Sequence, residues 1–200
     1  MRMQGVMFSK EECDWLWSLQ DKPVFTDLQS ATNNGRTVWP ERLPTGWITS
    51  NAYDPETGVV TPNISHQLRT ECWIDIANVV DEYTTMKDIM LSNLPWIKDD
   101  FDLGGSKLIK MVEGDFLHNH VDSGETYTLA RRQWTMIIQL SEPDEYTGGD
   151  FHLGDYILPK DRGFCCLFDG GTQLHEVKKI ISGTRKSWIT WMPKESLTFL

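Results

Sequence analysis

Long apolar runs are missing from this sequence. No window of its 200 residues approaches the roughly eighteen apolar side chains that a helical membrane span requires. The start, Met-Arg-Met-Gln-Gly-Val-Met-Phe, carries no long apolar signal segment, so the expectation is a cytoplasmic protein with no membrane partner. Paired cysteine motifs are missing too. Cys13, Cys72, Cys165 and Cys166 show no C-x-x-C spacing, which argues against a thiolate zinc site or a disulfide scaffold. The adjacent Cys165-Cys166 lie in an apolar, strand-like run and read as small core residues. Basic charge is also scarce, with 19 Lys and Arg against 29 Asp and Glu and a formal net charge of −10. Arg131-Arg132 and Lys178-Lys179 are the clearest basic clusters, and they are too short to hold a phosphate backbone, so a nucleic-acid partner is not expected. No internal repeat, low-complexity tract or linker divides the chain. A chain of this length buries one sizeable core, and the expectation is one domain over residues 1–200.

The first part, residues 1–104, reads as helix and loop. Ser9-Lys-Glu-Glu12 has the form of a capping box, with a hydroxyl at the helix start and a carboxylate three residues on, and predicts a short helix through Trp15, Leu16 and Leu19. Residues 29–63 are dense in Asn, Gly, Thr and Pro and read as loop or irregular hairpin. Trp39 and Trp47 flank prolines there. Leu68, Cys72, Ile76, Val79, Val80 and Tyr83 recur at spacings of three and four, which predicts an amphipathic helix behind Ser65.

From residue 105 the character changes. Leu108–Val112, Trp134–Leu140, Phe151–Leu153, Phe164–Phe168, Glu176–Ile181 and Lys186–Met192 read as short strands, separated by Gly148-Gly149, Asp161-Arg-Gly163 and Gly170-Gly171. Strands at this density suggest a sandwich or jelly roll rather than a parallel α/β sheet.

Within that half lies His120-Val-Asp122, followed by His175 and then by Arg185-Lys-Ser187. Residues i and i+2 of an extended segment project to one side, so His120 and Asp122 can reach one ion together. Two imidazoles and one carboxylate are the ligand set that holds non-heme Fe(II) on one face and leaves positions open for oxygen chemistry. Arg185 and Ser187 again share a side, and a forked cation beside a hydroxyl suits the carboxylate of a small diacid. A lone His-x-Asp pair is common by chance. The ordered combination is what carries the argument.

With these residues the chain resembles the Fe(II)- and 2-oxoglutarate-dependent dioxygenases, in their prolyl 4-hydroxylase-like branch. Leu140-Ser-Glu-Pro-Asp-Glu-Tyr-Thr-Gly-Gly-Asp-Phe151 is similar to the double-glycine turn that follows a core strand there. Gly163, His175, Gly183, Arg185 and Trp191 stand in the family order. The resemblance implies a mainly β fold with flanking α: a double-stranded β-helix, the cupin-like jelly roll, over residues 105–200, with N-terminal helices packed outside it. It implies His120, Asp122 and His175 as iron ligands and catalytic centre, and Arg185 as the cation for the far carboxylate of 2-oxoglutarate. Ser187 and Trp191 join it as cosubstrate-pocket residues, and Gln139 is counted with them on its own chemistry, because its amide can donate a hydrogen bond. It further implies Fe(II), 2-oxoglutarate and O2 as cofactors, with ascorbate a candidate reductant. The expected reaction is hydroxylation of a C–H bond, on a peptidyl proline or a small amino-acid-like substrate.

Two positions depart from the family pattern. Met111 stands where many relatives carry a tyrosine, and Gln139 where animal members place another that contacts the cosubstrate. His118 is a third point of interest, since His118, His120 and Asp122 would share a face on a straight strand. A role supporting the ligands is favoured for it over ligation. His66 and His152 have no partner at metal spacing and read as surface or structural. The competing reading is a non-catalytic cupin-like protein that binds a metal or 2-oxoglutarate for structure or sensing.

Overall fold

The computed structural model describes residues 2–21, 81–99, 101, 106–122 and 133–193, together with the backbone of short strands between residues 31 and 73. Strand β1 (Arg2–Val6) leads into helix α1 (Lys10–Ser18). The short strands β2 (Ala31–Asn33), β3 (Arg36–Val38), β4 (Ile48–Thr49), β5 (Asn51–Tyr53), β6 (Val60–Pro62), β7 (Gln67–Leu68) and β8 (Thr70–Trp73) follow, then helix α2 (Asp81–Asn93). The second half supplies β9 (Lys107–Val112), β10 (Phe116–His120), β11 (Trp134–Gln139), β12 (Tyr146–Gly148) and β13 (Phe151–Leu153). It ends with β14 (Tyr156–Ile157), β15 (Phe164–Asp169), β16 (His175–Val177) and β17 (Ile180–Met192).

The strands form two principal antiparallel sheets. The larger runs β1-β15-β11-β17-β9-β8-β4, with β12 also on β17, and the smaller runs β14-β13-β16-β10-β7. Strict alternation decides what each strand of the large sheet buries. Leu108, Met136, Ile138, Leu167 and Trp188 point to one cluster, where they meet Cys13, Leu16, Met86 and Met90 of the helices. Ile109, Ile137, Phe168, Ile189 and Trp191 point to the other, where they meet Leu117, Phe151 and Val177 of the small sheet. With helices on one face and a sheet on the other, these strands read as continuous apolar runs, and β11 is buried at every position. The result is the mainly β jelly roll with helices outside it that the sequence implied.

The capping box is present, with the Glu12 amide donating to the Ser9 hydroxyl at 3.1 Å and the Ser9 amide donating to the Glu12 carboxylate at 2.7 Å. The helix expected over 68–83 is not. Residues 67–68 and 70–73 are strands, and the helix occupies Asp81–Asn93. Cross-strand pairing of Thr70–Trp73 with Lys107–Lys110 outweighs the local period, of which Leu68, Cys72 and Tyr83 fall on three different elements. The face of α2 that is buried is made by Met86 and Met90, one turn apart, continued by Leu94 beyond the helix.

The strand expected over 176–181 is divided. β16 ends at Val177, and β17 begins at Ile180 to run unbroken through Met192. Between them Gly148 and Gly149, at φ 71° and 63°, bring the 148–149 turn against residues 179–181. A Cβ at Gly148 would lie 2.4 Å from the Lys179 carbonyl oxygen. Cys13, Cys165 and Cys166 are buried and form no disulfide, as core residues should be. His66, Trp39, Trp47 and Arg131-Arg132 lie outside the described residues, and so does the side chain of Cys72.

Candidate metal and cosubstrate site

The ligand set assembles in a pocket lined by both sheets. His120 closes β10, Asp122 follows two residues later, and His175 opens β16, directly opposite His120. One ligand atom from each lies within 4.8 Å of the others, a spacing that could hold a metal ion. Between Leu117 and His120 the register against β16 slips. This irregularity resolves the ambiguity over His118. On a straight strand His118 and His120 would share a face, but the extra residue reverses the alternation. Leu117, His120 and Asp122 therefore line the pocket, while the His118 ring is exposed beside Phe116 at a centroid distance of 4.7 Å. Its contribution is its backbone. The His118 carbonyl lies 2.8 Å from His120 Nδ1, and the Gln173 carbonyl 3.0 Å from His175 Nδ1. A carbonyl only accepts, so each Nδ1 carries a hydrogen and donates it, and each Nε2 is the ring nitrogen left to face the site.

Both Nε2 atoms face Asp122. His120 Nε2 is 3.5 Å from Oδ1 and His175 Nε2 is 3.4 Å from Oδ2. Burial alone would raise the Asp122 carboxyl, but contacts with His120, His175 and Thr135 outweigh it and hold the group well below the usual carboxylate range. A carboxylate beside two imidazole nitrogens is a donor set suited to a divalent cation of intermediate softness. Phe151 stacks on His175 at 5.7 Å and Phe168 meets its edge at 4.9 Å, which fixes the ring.

Arg185, Ser187, Ile189 and Trp191 all line the same pocket, as the alternation along β17 requires. Arg185 is 3% exposed, and burial pushes its guanidinium below its ordinary range, with the Tyr146 hydroxyl acting in the other direction. Its Nη1 lies 3.2 Å from the Ser187 hydroxyl and 4.0 Å from the Met111 sulfur. Among the described residues no carboxylate pairs with it. A buried cation in a pocket, with hydroxyls beside it and no anion supplied by these residues, fits a carboxylate brought by a ligand.

Gln139 is buried next to Arg185 but spends its amide differently from the expectation. Its Nε2 donates to the Tyr146 hydroxyl at 2.9 Å, in an adjoining recess that Arg185 also lines. Tyr146, within the stretch that ends in the double-glycine turn, is thus a further pocket residue, and nothing in its spacing marks it as one. Trp191 lies against the Lys107 ammonium, 4.7 Å from the ring centroid. His152 is on β13, apart from the metal set.

A jelly roll presenting two histidines, one carboxylate and a buried arginine in one pocket defines the class of Fe(II)- and 2-oxoglutarate-dependent oxygenases. Residues 106–193 of the chain match the family model of the 2OG-Fe(II) oxygenase superfamily. Solved structures share the fold at low identity. An oxidoreductase of the 2OG-Fe(II) oxygenase family from Burkholderia pseudomallei is 13% identical, with TM-score 0.58, over 98% of this chain and 87% of its own. A prolyl hydroxylase from Trichoplax adhaerens, solved with a hypoxia inducible factor oxygen degradation domain peptide fragment, is 14% identical, with TM-score 0.55, over 98% and 83%. The viral collagen prolyl hydroxylase of Paramecium Bursaria Chlorella virus-1, in its 2OG complex, is 15% identical, with TM-score 0.53, over 96% and 94%. No curated protein matches the chain.

Proposed function

We propose that this single-domain protein hydroxylates a C–H bond of a peptidyl proline or a small amino-acid-like substrate, with Fe(II) on His120, Asp122 and His175 and 2-oxoglutarate anchored by Arg185. The observation that carries this reading is the shared pocket, lined both by three metal-competent side chains and by a buried arginine lacking a carboxylate partner among the described residues. A prolyl substrate is supported by the shared fold with prolyl hydroxylases, one of them solved with a peptide. A reducing, cytoplasmic setting is supported by Cys13, Cys165 and Cys166, which are buried and form no disulfide.

When bound, Fe(II) and 2-oxoglutarate supply oxygen activation, with decarboxylation of the cosubstrate to succinate and transfer of one oxygen atom to the substrate. The protein's part is orientation. The two Nδ1–H groups, fixed by carbonyls, turn both Nε2 atoms toward Asp122, whose carboxyl completes the set. Arg185 and Ser187 hold the far carboxylate, while Ile109, Met111, Ile137, Phe151 and Ile189 line an apolar wall that excludes water.

Anaerobic addition of Fe(II) and 2-oxoglutarate is expected to give a visible charge-transfer absorption band. Admission of air with a panel of prolyl peptides and free amino acids is then expected to give succinate and a product heavier by one oxygen. Absence of the band would overturn the reading.

Tyr146→Phe offers a finer check on the pocket. It removes a hydroxyl shared by Gln139 and Arg185. A hydrogen bond to a charged group contributes about 1.5–3 kcal/mol, so KM for 2-oxoglutarate is expected to rise about tenfold with kcat little changed. An unchanged KM would place the hydroxyl outside the cosubstrate's reach.

A further inference from the structure

Asp122 is gripped by more than the two histidines. Thr135 on β11 is fully buried, and its hydroxyl lies 2.5 Å from Asp122 Oδ2. An ionised carboxylate only accepts, so Thr135 donates. The Asp122 amide in turn donates to the Gly170 carbonyl at 2.8 Å. Gly170 has to be bare: a Cβ there would lie 2.0 Å from the Thr135 hydroxyl oxygen and 3.2 Å from Asp122 Oδ2. The loop that carries Gly170 is tied down at Asp169, whose Oδ1 accepts from Gln133 Nε2 at 2.8 Å and from the amides of Gly171 and Thr172 at 2.9 and 3.1 Å. Gln133 and Thr135, two residues apart, therefore brace the loop and the carboxylate together.

The carboxylate itself is ambiguous. Each oxygen faces one imidazole at nearly the same distance, so nothing in the two histidines decides whether one oxygen or both would reach an ion between them. We propose that Thr135 is the positioning residue that makes Asp122 a one-oxygen ligand, by engaging Oδ2 and leaving Oδ1 to the metal. The consequence is a free coordination position. In a facial set of two histidines and one carboxylate, the open positions serve the cosubstrate and oxygen, and a carboxylate bound through both oxygens would take one of them. This inference rests on the reading of the triad as a metal site.

The test uses anaerobic metal titration of the full chain, with Fe(II) for affinity and Co(II) as a spectroscopic probe of coordination. Thr135→Val keeps the shape and removes the donor, whereas Thr135→Ser keeps the donor. Outer-shell partners of metal ligands typically contribute 10–100-fold in affinity, so T135V is expected to bind Fe(II) at least about tenfold more weakly and T135S within about threefold of the parent. The visible spectrum of the Co(II) form should be the same in parent and T135S and altered in T135V. Gly170→Ala presses a methyl group on the same hydroxyl and is expected to reproduce the T135V spectrum, which keeps the test available if T135V does not fold. Parent-like affinity and spectrum in folded T135V or in folded G170A would overturn the proposal, as would a T135S protein as weak as T135V. A parent chain that binds no Fe(II) would instead overturn the metal site, and that result is read before any substitution is made.

Discussion

His175→Ala is expected to lower turnover by more than about 10³-fold while leaving a folded protein, because loss of a ligand should exceed the 10–100-fold typical of the partners that merely orient ligands. His175 is 1% exposed and packed between Phe151 and Phe168, so its removal also opens a cavity. Large-to-small changes at such sites cost about 2–5 kcal/mol, which most domains with about 5–15 kcal/mol of stability survive. The two apolar clusters that build the fold consist of side chains that need no ion. Circular dichroism and a cooperative melt should therefore persist in H175A, and in the parent treated with a chelator. A non-catalytic protein that keeps its metal for structure makes the opposite prediction, since chelation or H175A would then unfold it. Turnover and melting measured on the same samples separate the two readings.

The jelly roll was legible where both faces of a strand are buried. Trp134–Gln139 and Phe164–Phe168 are apolar at nearly every position because the helices cover one side and the small sheet the other. What escaped was whatever depended on pairing partners. Thr70–Trp73 is a strand because Lys107–Lys110 lies beside it, and no local periodicity encodes a neighbour so distant in sequence. The site shows the same division. His120, Asp122, His175 and Arg185 were legible because ligand and anchor chemistry restricts residue type, and β17 alternates into the pocket from Arg185 through Trp191. The outward turn of His118 was not, since it depends on a register slip against β16. Thr135 left a faint trace, as a polar residue in an otherwise apolar strand interior, where a buried hydroxyl needs a partner. Gly170 read as an ordinary turn residue, because the close approach that forbids a side chain exists only once three segments meet.

Arg185→Met should separate stability from function in opposite directions. In the unliganded protein the guanidinium is 3% exposed, faces Ser187, Tyr146 and the Met111 sulfur, and has no carboxylate partner among the described residues. Removing a charge from water without an opposing charge costs stability, and replacing it with an unbranched apolar side chain of similar reach removes that cost. Unliganded R185M is therefore expected to melt at the same temperature as the parent or a few degrees above it. The ligand response should reverse the order. At 2-oxoglutarate concentrations about 100-fold above Kd the parent gains about 2.7 kcal/mol, which for a chain of this size corresponds to a rise in Tm of roughly 5–10 °C. R185M should show no such rise, because the far carboxylate would meet a thioether where it requires a forked cation. Differential scanning calorimetry on Fe(II)-loaded, anaerobic protein reads both effects. A variant that melts well below the parent without ligand, yet still gains stability from 2-oxoglutarate, would mean that Arg185 is balanced within the protein and that the cosubstrate binds elsewhere. If the stability rise and the lost response occur together, the arginine's burial is a standing cost that only the dicarboxylate offsets, which ties the order of the pocket to the presence of its cosubstrate.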